Sequence, residues 1–114
     1  MALEITRSEF DPDIAVYHLA GRLDAVEAPT AYDHMVDNLG DRRKIVLDLS
    51  GVDYMSSGGL SILIRLVHRL RSEEGDLFCA AAQPFVQKVF DIVSFDSILK
   101  VYEEVDEAVG AFGE

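Results

Sequence analysis

Cysteine, proline and basic side chains are scarce in this 114-residue chain, and each scarcity closes off a class of function. The single cysteine, Cys79, excludes an internal disulfide. Its place in the apolar run LFCAAA reads as a small buried hydrophobe in a reducing cytoplasm. Three prolines in a chain that is 49% hydrophobic exclude a proline-rich, disordered composition. Ten Lys and Arg against 21 Asp and Glu leave a formal charge of −11, which argues against nucleic acid and against anionic membrane surfaces. A basic protein surface is a more natural partner, and the same acidic balance also serves solubility. No apolar run approaches the roughly 18 residues that span a bilayer. The opening MALEITRSEF lacks the basic-then-apolar order of a secretory signal. These features predict one cytoplasmic globular domain over residues 1–114, with no membrane insertion.

What is present alternates. An apolar strand from Leu3 to Ser8 is followed by the turn Asp11-Pro12-Asp13 and a second strand from Ile14 to Leu19 that ends at Gly21. Ala28, Tyr32, Met35, Val36 and Leu39 recur at helical spacing; Pro29 places the helix start near 26–28, and Gly40 ends it. KIVLDLS is nearly continuously apolar, as a strand covered on both faces should be. Leu60, Leu63, Ile64, Val67 and Leu70 form a second helical stripe, and DLFCAAA is a fourth strand. Gln83-Pro84 opens a third helix carrying Phe85, Val86, Val89, Phe90 and Val93. A short strand over Ile98 to Val101 and a last helix from near Glu103, with Val105, Ala108, Val109 and Phe112 inward, complete the pattern. The expectation is an α/β domain with a mixed four- to five-stranded sheet and about four helices. Chemistry in such sheets gathers at the carboxyl ends of strands.

Ser56, Ser57, Gly58 and Gly59 stand at one such end, between the third strand and the second helix. A serine there caps the helix and a glycine allows a sharp turn. Two serines exceed what one cap needs, and two glycines leave a hydroxyl open to an approaching protein. A phosphoryl group at this point would meet the positive end of a helix and add about −1.5 to −2 charges locally. Asp24, in GRLD, reads either as a cap for the first helix or as a partner contact. Arg65 and Arg69 share the helix face opposite the core with Ile62 beside them, either as part of a docking surface or as a solvated face. His18, His34 and His68 are scattered, without metal-ligand spacing, and no GxSxG, P-loop or GxGxxG motif occurs. Hydrolysis through Ser57 lacks a recognisable base and oxyanion motif, so no enzymatic activity, metal or cofactor is expected.

VLDLSGVDYMSSGGLSILIRLVHRL resembles the signature region of STAS domains, especially bacterial anti-sigma factor antagonists. Their pattern is an apolar strand, a loop L-S-x-V-x-[YF]-[MI], then D-S-[ST]-G-L or S-S-[AG]-G-L. LAGRLDAVEAPTAYDHM is similar to their G-x-L-D segment, and AAQPFVQKVFDIVSFDSILKVYEEVDEAVGAF resembles their proline-started helix and acidic closing helix. The resemblance implies a non-enzymatic module that binds an anti-sigma factor serine kinase, is released when a loop serine is phosphorylated, and is restored by a serine phosphatase. By position it implies Ser57 as acceptor, with Ser56, which replaces the family's Asp, as the alternative; Gly58 falls where a second hydroxyl stands in other members. Taken with the helix-face reading of Ile62, Arg65 and Arg69, the candidate partner contacts are Asp24, Ser56, Gly58, Gly59, Ile62, Arg65 and Arg69. The competing reading is a constitutive STAS subunit of a transporter or signalling complex, never phosphorylated.

Overall fold

β1 (Glu4–Asp11), largely polar, and β2 (Ile14–Leu23), apolar along most of its length, pair as an antiparallel hairpin that turns at Pro12 and Asp13. The computed structural model describes residues 3–113. After the hairpin come α1 (Ala28–Asp37), β3 (Lys44–Met55), α2 (Ser57–Ser72), β4 (Asp76–Ala80) and α3 (Pro84–Ile92). A 3-10 turn at Phe95–Ser97, β5 (Val101–Tyr102) and α4 (Val105–Phe112) follow. The sheet order is β1-β2-β3-β4-β5, with β1 antiparallel and every other neighbour parallel. The expected α/β architecture, five strands with four helices, is what the chain adopts.

Several boundaries differ from the sequence pattern, each for a local reason. Gly21 does not end β2: its φ of +114 places it in a region open to glycine, and the β2–β3 register shifts between it and Arg22. β3 likewise runs through Gly51 to Met55, because a Cβ at Gly51 would lie 2.8 Å from Ala20 Cβ and the missing side chain lets the strands stay paired. The strand expected over Ile98–Val101 is displaced to Val101–Tyr102. Phe95, fully buried and stacked 4.5 Å from Phe90, instead anchors the 3-10 turn before it. The last helix starts at Val105, with Glu104 still extended.

The two faces of the sheet are covered unequally. Ala15, Tyr17, Leu19, Ile45, Leu47, Leu49, Leu77 and Cys79 point to the main core, which α1, α2 and α3 close. Complete burial pushes the Cys79 thiol up to about 12, so it is an inert hydrophobe as expected. The opposite face carries Ile14, Val16, Val46, Phe78 and Ala80, packed by Val105, Ala108, Val109 and Phe112 of α4. Phe78 and Phe112 stack at 4.1 Å there. α2 lies against both the sheet and α1, so its buried arc is wider than one stripe. Leu66 and Ile62 are buried along with Leu63, Val67 and Leu70, whereas Leu60 and Ile64 are only partly covered.

One buried polar contact ties the sheet to α1. The Tyr17 hydroxyl donates to the Met35 carbonyl at 2.9 Å, satisfying one of the last carbonyls of α1 from inside the core. Replacing Tyr17 by Phe leaves the ring in place and that carbonyl unpaired, which should cost about 1–2 kcal/mol. The unfolding midpoint of Y17F should fall by about 4–8 °C; an unchanged midpoint in a thermal melt would show that the bond adds nothing.

Candidate functional site

β2 and β3 are parallel neighbours, so the turn after β2 and the start of α2 after β3 emerge side by side at their carboxyl ends. Leu23 pairs with Met55 at the last register position, and the Ser56 N–H donates to the Leu23 carbonyl at 3.1 Å. The next residues, 24–27 on one side and 56–59 on the other, are thereby pressed together. Asp24 Oδ1 accepts from the backbone N–H groups of Val26 and Glu27, both at 3.0 Å, which folds the turn into α1. Those bonds, led by the one from Glu27 and helped by the nearby Arg22 guanidinium, hold the Asp24 carboxyl below its ordinary range against a smaller desolvation effect. Asp24 therefore braces the turn that leads into α1 and does not cap the helix itself, whose N-cap position is Glu27 with no side-chain cap bond.

The serines divide their tasks. Ser56 is extended, with φ −100 and ψ 176, and its hydroxyl accepts from the Gly59 N–H at 3.4 Å as the N-cap of α2. Ser57 is the first helical residue; it is exposed, and its hydroxyl makes no hydrogen bond among the described residues.

The glycines do something other than clear space for an approaching protein. A Cβ at Gly58 would lie 2.7 Å from Ala25 Cα, and one at Gly59 would lie 2.4 Å from the Leu23 carbonyl oxygen. The vacated volume is filled from within, by the β2–α1 turn. Gly59 is buried and offers no surface to a partner, contrary to its expected contact role; Gly58 is half-buried. Ile62 is also corrected: at 4% exposure it belongs to the core. Its i+3 and i+7 spacing to Arg65 and Arg69 suggested a shared outer face, but α1 packs over that side of α2.

The arginines sit away from the joint, about 12 Å (Arg65) and about 18 Å (Arg69) beyond Ser57 along the helix. Arg65 lies over the Tyr32 ring at 4.5 Å, and Arg69 pairs with Glu73 at 3.5 Å. Asp24, Ser56, Ser57 and Gly58 are thus brought together, and Arg65 and Arg69 are not.

Four residues at this end of the sheet escaped the sequence reading. Arg22 stands 4.1 Å over the Tyr54 ring and 3.7 Å from Asp24, and Tyr54 stacks on Phe85 at 6.0 Å. Phe85, one of the apolar residues expected along the third helix, is 51% exposed, unlike the buried Val86 and Phe90. Val26, next to the residue that touches Gly58, is 82% exposed. Two exposed apolar side chains and a cation-capped tyrosine thus lie on the elements that meet at this end of the sheet, as Ser57 does. The adjacency of Tyr54 to the Met-Ser-Ser step was the available signal, but the position of Phe85 depends on how α3 docks.

Substituting Gly59 by Ala drives a methyl into a backbone carbonyl that cannot swing away. G59A should lose about 1–3 kcal/mol or more, read as a lowered denaturation midpoint. G110A, where a Cβ meets nothing within 4 Å, should lose none; equal midpoints for the two variants would contradict the close-packed joint.

The comparisons with known proteins agree with this geometry. Residues 6–108 match the family model described as the STAS domain. A Bordetella bronchiseptica protein provisionally named anti-sigma factor antagonist BtrV is 39% identical over 70 residues, which span 61% of this chain and 60% of that relative. The anti-sigma-B factor antagonist of Listeria monocytogenes is 26% identical over 102 residues, 89% of this chain and 90% of its own. The crystal structure of an anti-sigma factor antagonist from Mycobacterium paratuberculosis superposes with a TM-score of 0.87 at 24% identity, covering 99% of this chain and 96% of that one. With the family model spanning nearly all of the sheet and helices that build the serine–glycine joint, this chain belongs to the STAS domain family.

Proposed function

We propose that this protein is an anti-sigma factor antagonist, a cytoplasmic binding module switched by phosphorylation of Ser57. Unmodified, it holds an anti-sigma factor that is also a serine kinase; modified, it lets go, and a serine phosphatase resets it. The observation that carries the reading is the division of labour between the two serines. The Ser56 hydroxyl is engaged as the helix cap, whereas that of Ser57 is exposed and free of partners among the described residues. The names of the Bordetella and Listeria relatives point to the same role.

Charge explains how one phosphate would act. The first turn of α2 contains no acidic residue, so a phosphoryl group at Ser57 meets unopposed helix N–H groups and leaves the helix intact. The same group adds about −1.5 to −2 charges at the end of the sheet where the apolar side chains of Val26 and Phe85 are exposed. A partner that covers those side chains would have to bury an unpaired phosphate, at a cost of several kcal/mol. Asp24 is a lesser contact in this scheme, its carboxylate being committed to the turn.

The decisive measurement is peptide mass spectrometry after incubation with ATP and the kinase encoded beside this protein's gene. Phosphate should appear on Ser57 and vanish in Ser57→Ala. Ser57→Asp should weaken kinase binding by about tenfold or more, and Ser57→Ala should leave it within about twofold. An active kinase that leaves Ser57 unmodified would turn the reading toward a constitutive subunit.

A further inference from the structure

On the same face of the sheet as α4, three polar side chains from three adjacent strands form a continuous chain. Ser8 of β1 lies diagonal to His18 of β2, and His18 is directly paired with Asp48 of β3. Ser8 Oγ is 2.6 Å from His18 Nε2, and His18 Nδ1 is 2.6 Å from Asp48 Oδ2. Asp48 Oδ1 in turn accepts from the Ser50 N–H at 2.9 Å, so both carboxylate oxygens are held. The sequence shows these residues only as scattered, because register rather than spacing brings them together.

The direction of each hydrogen bond follows from the carboxylate. Burial alone would push the Asp48 carboxyl up, but bonds from His18 and from Ser50 outweigh it and hold the group below its ordinary range. Ionised, Asp48 can only accept. His18 therefore donates through Nδ1, which in the neutral ring leaves Nε2 as an acceptor, and the Ser8 hydroxyl must donate to it. A hydroxyl aimed at an imidazole that is itself oriented by a carboxylate is the arrangement that raises the nucleophilicity of serine. The three residues remain reachable: the His18 side chain is 34% exposed, and Ser8 is half-buried.

We propose that Ser8 is a modification site independent of Ser57, a nucleophilic hydroxyl that takes an acyl group from an activated donor such as an acyl phosphate or a thioester. Ser8 Oγ attacks the acyl carbonyl carbon while its proton passes to His18 Nε2. The bond from that carbon to the phosphate oxygen or thioester sulfur breaks, and the leaving group departs with the electron pair. His18 then returns the proton to the leaving group or to water, and the product is an ester on Ser8. Asp48 is a positioning residue that fixes the ring. The reaction is confined to donors with good leaving groups, and the product is a persisting ester.

The test needs only the intact protein and p-nitrophenyl acetate as the probe, with acetylated peptides mapped and quantified over time. Ser8 should acetylate about a hundredfold faster than the exposed Ser57, Ser61 and Ser72, which are internal controls. His18→Gln should bring Ser8 down to their rate and Asp48→Asn should slow it about tenfold, with the control serines unchanged. The proposal is overturned if Ser8 reacts no faster than those serines in the unaltered protein. Acetyl on His18 in place of Ser8, or a Ser8 rate indifferent to His18→Gln, would overturn it equally. In those cases the chain of hydrogen bonds only ties the edge strand to the sheet.

Discussion

The fold at its functional end depends on one steric condition: nothing larger than hydrogen can occupy the Cα of residue 59. The Leu23 carbonyl reaches the Ser56 N–H at 3.1 Å, and a Cβ at Gly59 would sit 2.4 Å from that same oxygen. The bond that joins β2 to the head of α2 and the absence of a side chain are therefore one feature. From it follow the placement of the 24–27 turn against α2, with Ala25 against Gly58, and the position of Asp24. A phosphoacceptor held at such a joint is presented in a fixed orientation, because the backbone on both sides is anchored to strands.

The basic segment of α2 is a lesson in reading charge from sequence. Arg65, Arg69 and Arg71 look like a positive patch in an acidic chain. In the fold Arg69 shares Glu73 with Arg43, at 3.5 and 2.6 Å, and Arg71 pairs with Asp76 at 3.0 Å. Exposed pairs of this kind contribute little to stability, but they neutralise the patch at close range. What remains for a partner at the carboxyl end of the sheet is shape and apolar surface, with Arg22 as the nearest cation, already spread over Tyr54.

Most of the fold was legible because the physics that fixes it is local. Periodicity marked the strands and helices, Pro29 and Pro84 marked two helix starts, and the Ser-Ser-Gly-Gly step marked the joint. What failed was tertiary. Gly21 reads as a terminator but lies inside β2, and Gly51 lies inside a β3 longer than KIVLDLS, since a glycine's signal is the same whether it ends a strand or admits a neighbour. Ile62 was misplaced because a helical wheel gives a direction for each side chain but not the width of the surface the helix packs against. The hydrogen-bonded line Ser8–His18–Asp48 was invisible for a different reason: strand register, set by the hairpin and by the β2–β3 pairing, is not written in residue spacing.

The strand order along the sheet is the order of the strands along the chain, and that coincidence has a consequence for synthesis. Each strand emerging from the ribosome finds its neighbour already made, so the sheet can grow outward from the hairpin by one edge without waiting for distant segments. The main core can close as soon as α3 is complete. The second apolar face must wait, because apart from Tyr102 of β5 its cover is α4, the last of the described elements. Until α4 docks, Val46 and Phe78 face water. That interval, rather than any weakness of the finished fold, is when the nascent chain exposes the apolar surface that favours aggregation.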